Sequence, residues 1–236
     1  MMFVRGLEPA WFLSLFLILS WPPNAGSSEL KLYGAGGASS GEYSVRVLSL
    51  KEAKFRRTVR QQYDFSCGSA ALATLLTYHY GDAVTEAQVF EYMYERGEQQ
   101  KIQREGFSLL DIKLYLESHG YTADGFEATL DKLAEVGVPA IVLISDNGYH
   151  HFVVIKGLRA GKVLLGDPSS GARIVSRTAF EKIWTNGIVF MITNRQDLAL
   201  FNANPEWSAG TAPLGTAISR DSLANTMIFM RGLKDF

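Results

Sequence analysis

The pattern of hydrophobic and polar positions divides the chain into a helical first half and a strand-rich second half. In the first half, apolar side chains recur every three or four residues, which is the spacing of an amphipathic helix. Thr85 and Gln88 fit a capping box at the start of one such helix, and Gly81 and Gly120 follow apolar runs at positions typical of a helix C-terminus. The polar stretch 95–106 predicts an exposed loop. The predicted helices are residues 66–80, 85–96, 108–119 and 130–136.

Short runs rich in Val, Ile and Leu, separated by Gly, Asn and Asp, dominate the second half and predict β-strands. A small helix is expected at residues 178–184, before the last of these runs. Helices followed by strands indicate an α+β fold, in which the helical half packs on an antiparallel β-sheet. The predicted strands are residues 139–144, 152–158, 162–166, 172–176 and 188–193, with a separate strand at 43–48.

The two ends of the chain are predicted to lie outside this fold. Arg5 precedes the apolar run 10–21, and small residues follow around Ala25, which is the pattern of a secretory signal peptide. The run is shorter than the roughly 20 apolar residues that span a bilayer, although an uncleaved anchor or a core segment would have a similar pattern. The predicted organisation is a signal peptide at 1–25, a flexible linker at 26–42, one folded domain at 43–195 and a C-terminal extension at 196–236.

Composition and charge argue against several functional classes. The net charge is −1 and no run of Lys or Arg suggests a nucleic-acid partner. The chain has no glycine-rich phosphate loop, so ATP and other nucleotides are not expected. It has one cysteine and four histidines without a helical His-x-x-x-His pair, so neither a metal site nor a cofactor is expected.

The single cysteine, Cys67, is the first candidate for chemistry. An exported chain with one cysteine cannot form an intramolecular disulfide, so Cys67 is either a buried small hydrophobe or a residue retained for its reactivity. Cys67 stands at the predicted start of a helix, where backbone N–H groups and the helix dipole stabilise an anion. We therefore expect a lowered pKa and a larger thiolate fraction at this sulfur.

A histidine and a carboxylate in the second half could activate that thiol. His151 stands at the start of a strand, and an imidazole can take the proton of a thiol and return it to a leaving amine. If residues 158–160 form the loop of a hairpin, position 151 faces Asp167, whose carboxylate could then orient the imidazole. A loop longer by one residue would shift this register and bring His150 opposite Asp167 instead.

Gln61, six residues before Cys67, is a candidate for stabilising the oxyanion of a tetrahedral intermediate. A side-chain amide and the backbone N–H of Cys67 could both donate to such an oxyanion. Gln62 offers the same chemistry, and residue type alone does not separate the two.

Together these segments resemble the double-glycine leader peptidase family, the bacteriocin-processing cysteine peptidases that are usually fused to export ATPases. The resemblance implies a papain-like cysteine peptidase fold with a triad of Cys67 as nucleophile, His151 as general base and acid, and Asp167 orienting His151. It also selects Gln61 as the oxyanion-hole residue, from its spacing to the cysteine. The segments that carry the resemblance are 61–73, 106–111, 137–140, 151–155 and 167–171, within a similarity that covers roughly 58–194.

The chain departs from the usual family pattern in having a leader of its own and no transporter portion. Residues 59–68 are very similar to stand-alone, exported members encoded in functional-amyloid operons. This implies a periplasmic enzyme that acts on a protein or peptide, such as an amyloid subunit or an outer-membrane export component, and meets the membrane only during export. Two alternatives are a non-catalytic peptide-binding chaperone module and another Cys-His-Asp enzyme, such as an amidase or a transglutaminase-like acyl transferase.

Overall fold

The computed structural model describes residues 28–33, 42–47, 49–146, 148–184 and 186–211. The predicted signal peptide and residues 212–236 lie outside the described residues. The chain forms two compact units, one before and one after the boundary between residues 48 and 49.

The first unit contains an antiparallel pair of strands, β1 (Ser28–Tyr33) and β2 (Glu42–Val47). Strand β2 confirms the strand predicted at 43–48. Strand β1 lies within the segment predicted to be a flexible linker, so part of that segment is regular structure. The sequence of β1 alternates between apolar and polar residues around Leu30 and Leu32, which is a strand pattern that the flanking Gly and Ser residues obscure. The domain boundaries stay predictions.

The helices of the second unit largely follow the sequence pattern. The Thr85 hydroxyl accepts from the backbone N–H of Gln88, and Gly81 ends its helix in the left-handed region, as predicted. The helices are α1 (Leu50–Lys54), α2 (Cys67–Leu75) with a π-helical turn (Leu76–Tyr80), α3 (Glu86–Arg96), α4 (Gln99–Glu105), α5 (Leu109–Ser118), α6 (Leu130–Val136), α7 (Arg177–Ile183) and α8 (Asn204–Thr211), with a 3₁₀ turn at Gln196–Leu198.

The prediction of a loop at 95–106 is wrong, because α4 lies within it. Ile102 is the apolar anchor of this helix and is buried in the core. A single apolar residue in a polar stretch produces no periodic signal, so the packing of Ile102 was not visible in the sequence.

Six antiparallel strands form the sheet of the second unit, in the order β3-β8-β4-β5-β6-β7. The predicted strands are confirmed, and β3 had not been predicted. The strands are β3 (Ala123–Glu127), β4 (Ala140–Asp146), β5 (Tyr149–Arg159), β6 (Lys162–Asp167), β7 (Gly171–Ser176) and β8 (Ile188–Ile192).

The sheet has a hydrophobic core on each face, because side chains alternate along its strands. On β5, Phe152 and Val154 belong to the core that includes α2, α3 and α5. Val153 and Ile155 belong to the other core, which α6 and α7 cover. This arrangement confirms the predicted α+β class, with helices packed on an antiparallel sheet.

Helix α2 is the central helix, and every residue in it is buried. Small side chains allow the sheet and the neighbouring helices to approach closely. At Gly68, an added Cβ would lie 3.0 Å from the Cβ of Phe107 and 3.6 Å from the ring of Phe152. Close packing of small residues therefore places the first turn of α2, and with it Cys67, directly beside β5.

The segment that follows the last strand packs against β5, a contact that no sequence pattern indicated. The Leu200 N–H donates to the His79 carbonyl, and the Asn202 N–H donates to the Lys156 carbonyl. In return, the Leu158 N–H donates to Oδ1 of Asn202 at 2.8 Å. Residues 200–207 are therefore an integral part of this unit.

A buried charge cluster holds this segment in place. The Glu206 carboxylate lies 2.6 Å from Nζ of Lys156 and 2.6 Å from Nε of Arg57. His79 lies at the edge of this cluster, with its Nε2 3.9 Å from Glu206 and its Nδ1 2.6 Å from the Leu200 carbonyl oxygen. Lys156 and Glu206 are only 1% and 2% exposed, so their charges depend on each other.

His79 should make the folded state sensitive to mild acid. Burial, followed by the charge of Lys156, lowers the pKa of His79 from 6.5 to about 4. Below pH 6.5 the unfolded chain binds a proton at His79 that the folded chain does not bind until about pH 4. The free energy of unfolding should therefore fall by about 3 kcal/mol as the pH decreases through this window.

Urea unfolding at several pH values between 7 and 4.5 measures this dependence. His79→Gln should flatten the dependence, whereas His119→Gln should retain it, because His119 is exposed. An unchanged slope in His79→Gln would contradict the assignment. Carboxylates contribute mainly at lower pH, because their unfolded-state pKa values lie near 4.

Candidate active site

Cys67 is the first residue of α2 and is only 6% exposed. The backbone N–H groups of Phe152, Gly68 and Cys67 itself act on its sulfur and favour the thiolate, which lowers the pKa. Burial raises the pKa of the thiol, and these N–H groups oppose that effect without outweighing it, while the nearby Asp167 charge adds to it. The expectation of a lowered pKa is therefore wrong for this structure. The helix N-terminus acts as predicted, but the sequence did not reveal how deeply the thiol is buried.

His151 and Asp167 are in direct contact, and both are buried. Nε2 of His151 lies 3.3 Å from Oδ2 of Asp167, which leaves Nδ1 buried and without a hydrogen-bond partner among the described residues. The other carboxylate oxygen accepts from the Ser169 N–H at 2.9 Å and the Ser169 hydroxyl at 2.7 Å. Burial by itself would raise the pKa of Asp167, but the hydrogen bonds from His151 and Ser169 outweigh it and hold the pKa well below its usual range. Asp167 is thus an anion in contact with the imidazole.

The predicted register of the β5–β6 hairpin is wrong, although the contact that it predicted is present. Arg159 pairs with Lys162 across a two-residue turn, in which Ala160 and Gly161 both have positive φ. A β-bulge between Ile155 and Gly157 then shifts the pairing, so that Val154 pairs with Gly166. Continuing this register would place Asp167 opposite residue 153, so His151 reaches it diagonally.

The bulge decides which histidine faces Asp167. Without the bulge, the two-residue turn would place residue 154 opposite Asp167. Residues an even number apart on a strand share a face, so His150, and not His151, would then lie on the face of Asp167. Lys156 is the residue at the bulge, and its carbonyl accepts from Asn202 while its side chain pairs with Glu206. Glycine is required at position 157, because a Cβ there would collide with Asn202.

Gln61 lies beside the turn that follows Asp167, and Gln62 does not. The Gln61 backbone N–H donates to the Pro168 carbonyl at 3.1 Å, which ties the Gln61 loop to the turn after Asp167. Its side-chain Nε2 donates to the Tyr63 carbonyl at 3.0 Å. Gln62 is exposed and its backbone N–H donates to Glu86. The role of Gln61 in an oxyanion hole stays a prediction.

Two residues at the site were missed by the sequence reasoning. The ring of Tyr149 lies 5.4 Å from the ring of His151, and its hydroxyl donates to the Asp64 carbonyl at 2.8 Å. Nε of Arg173 lies 3.2 Å from Oδ2 of Asp167, so a cation shares that oxygen with His151. Tyr149 could have been found from the sequence, because it lies two residues before His151 on the same strand and such residues point to the same face. Arg173 had no signal, because only the pairing of β6 with β7 brings it to Asp167.

The described residues contain no cluster of three or more His, Cys, Asp or Glu side chains suited to holding a metal ion. No helix in the described part of the chain is both long enough and apolar enough to cross a membrane.

A cysteine at the start of a buried helix, packed against an antiparallel sheet that carries a histidine–carboxylate pair, is the arrangement of a papain-like cysteine peptidase. The sequence profile of the peptidase C39 family matches residues 56–197, and the chain belongs to that family. It is a cysteine peptidase.

Two curated relatives extend this similarity beyond the profile. The chain is 39% identical over 180 residues to the "probable functional amyloid protease FapD" of Pseudomonas fluorescens. The alignment covers 76% of this chain and 77% of the relative. The chain is 37% identical over 180 residues to the protein of the same description from Pseudomonas aeruginosa, with the same coverage.

A solved structure supports the fold. The peptidase domain of Streptococcus ComA, a bifunctional ABC transporter, superposes with a TM-score of 0.50 at 22% identity, covering 58% of this chain and 97% of that domain. At this level of identity the similarity concerns the fold alone. It agrees with the predicted papain-like architecture.

Proposed function

We propose that this peptidase uses Cys67 as nucleophile, His151 as general base and acid, Asp167 to orient His151, and Gln61 with the Cys67 N–H as the oxyanion hole. The observation that carries the proposal is the orientation of the buried imidazole. Its Nε2 faces a carboxylate whose pKa is held low, while its Nδ1 is buried with no partner among the described residues. An anionic Asp167 requires a proton on Nε2, which leaves the lone pair on Nδ1 available as a base.

The raised pKa of Cys67 determines how the reaction begins. A buried thiol of this kind is mainly protonated at neutral pH, so its proton passes to Nδ1 of His151 as the sulfur attacks the carbonyl carbon. The backbone N–H groups at the sulfur and the helix N-terminus then stabilise the anionic charge that develops.

The second half of the cycle restores the enzyme. The imidazolium returns its proton to the leaving amine as the peptide C–N bond breaks, and a thioester remains on Cys67. A water molecule, deprotonated by Nδ1, attacks the thioester and releases the carboxylate product and the thiol. Throughout these steps Asp167 stays ionised and keeps the imidazole in one orientation.

The proposed setting is the periplasm, with an exported protein or leader as substrate. The support comes from two sources, namely the signal-peptide pattern at residues 1–25 and the relatives described as functional amyloid proteases. We propose that the enzyme acts during export or maturation of amyloid fibre components. The substrate is then a chain segment in extended conformation, since the scissile bond must reach a nucleophile that is 6% exposed.

The test compares the exported proteins of cells that contain or lack this protein, by mass spectrometry of their N-termini. The proposal expects a new N-terminus, together with the matching released fragment, only in cells that contain it. Identical N-termini in both strains would contradict the proposed role. Released ammonia or an amide cross-link, in place of two peptides, would indicate an amidase or an acyl transferase.

A further inference from the structure

Tyr149 contacts both the His151 imidazole and the loop that leads to Cys67. Its ring covers one side of the His151 imidazole, with ring centroids 5.4 Å apart and planes 31° apart. Its hydroxyl donates to the Asp64 carbonyl at 2.8 Å, in the loop that leads to Cys67. It lies close enough to Cys67 for the charge of a thiolate to act on it.

The Asp64 carbonyl that accepts from Tyr149 also lies near the side chain of Gln61. Nε2 of Gln61 donates to the Tyr63 carbonyl at 3.0 Å and lies 3.5 Å from the Asp64 carbonyl oxygen. An amide nitrogen has two hydrogens, so the long contact to Asp64 is the one that an oxyanion can replace. By holding the Asp64 carbonyl, Tyr149 connects the loop that carries the Gln61 amide to the His151 imidazole.

The phenol is suited to this role because it stays protonated. Burial, followed by the charge of Cys67, raises the pKa of Tyr149 above its ordinary value. A protonated hydroxyl keeps the hydrogen that it donates to the Asp64 carbonyl. Tyr149 is 47% exposed, so it lies between the imidazole and the solvent.

We propose that Tyr149 is a positioning residue for catalysis, whose hydroxyl holds the Asp64 carbonyl and through it the Gln61 amide, and whose ring holds the His151 imidazole. The inference rests on the proposed function of Cys67, His151 and Gln61. The two parts of the side chain have separate tasks, so removing them one at a time should give different results.

Two small electrophiles separate these tasks without a known substrate. Iodoacetamide alkylates the thiolate by displacing iodide, and no oxyanion forms. With p-nitrophenyl acetate, the sulfur attacks the carbonyl, a tetrahedral oxyanion forms, p-nitrophenolate leaves, and an acetyl thioester remains on Cys67. The oxyanion hole should therefore matter for the ester and not for iodoacetamide.

Tyr149→Phe should slow acylation by p-nitrophenyl acetate about fivefold to tenfold, the size of one lost hydrogen bond. Its rate of alkylation by iodoacetamide and the pH profile of that rate should stay as in the wild-type protein. Tyr149→Ala should show the same loss of acylation, and its alkylation profile should also move to lower pH. Without the ring, water solvates the thiolate and the imidazolium and favours the charged pair.

Tyr94→Phe is the matched control, because it removes a tyrosine hydroxyl that bonds Gln103 on an exposed surface. It should react with both probes as the wild-type protein does. Equal losses with both probes in Tyr149→Phe, no loss with either, or faster acylation would overturn the inference. Faster acylation would mean that the hydroxyl blocks the oxyanion hole. A wild-type Cys67 that reacts with neither probe faster than glutathione would instead contradict the proposed catalytic function.

Discussion

Cys67→Ala should abolish peptidase activity, with a fall of about 10⁴-fold or more in the rate of cleavage. The variant keeps the helix and the sheet but has no atom that can form the acyl-enzyme bond. Because Cys67 is the one cysteine of the sequence, the variant should also fail to gain mass with any thiol-directed reagent. Cleavage of an exported substrate, followed by mass spectrometry, measures both effects in one sample.

A neighbouring histidine provides the control for this experiment. His150→Ala removes an exposed side chain next to His151 and should leave cleavage unchanged, since His151 makes the contact with Asp167. Processing that continues in a well-folded Cys67→Ala protein would rule out covalent catalysis at this residue. It would favour a peptide-binding module that assists export without cleaving.

Glu206→Ala should cause the largest loss of stability, about 3–5 kcal/mol in the free energy of unfolding. The change leaves Lys156 almost completely buried without its carboxylate, and it removes the partner of Arg57. It also detaches α8 from β5, since Glu206 lies in the first turn of that helix. Urea unfolding at pH 7 measures the loss.

Two comparison variants show whether the buried charge is the cause. Glu135→Ala breaks a well-exposed ion pair with Lys132 and should leave the unfolding midpoint in place. Glu206→Ala combined with Lys156→Met should be less destabilised than Glu206→Ala alone, because the second change removes the isolated charge. A double variant that is no more stable than Glu206→Ala would mean that packing of α8, and not the charge on Lys156, dominates.

The same cluster bears on catalysis through the bulge at Lys156. The bulge turns His151 to the face of Asp167, and contacts from Asn202 and Glu206 surround it. The profile of the peptidase C39 family ends at residue 197, so these contacts come from residues beyond the family match. In this chain the segment that the sequence presented as an extension without a role therefore supports the strand that carries His151.

Local patterns were sufficient for most of the secondary structure. Capping residues such as Thr85 and Ser108, and glycines such as Gly81, act within a few residues of themselves, so their effect can be predicted from the sequence. Elements held by a single long-range contact were missed. Helix α4 depends on Ile102 reaching the core, and α8 depends on Glu206 reaching Lys156.

The sequence by itself determined the fold class, the candidate residues of the site and the spacing of Gln61 from Cys67. Only the tertiary structure decided how deeply the thiol is buried, that Tyr149 and Arg173 belong to the site, and which histidine meets Asp167. The physical reason is that the face to which a strand residue points depends on register, and one extra residue at a bulge reverses it. Here that residue is Lys156, and the groups that hold it are distant in the chain, where no local pattern could reveal them.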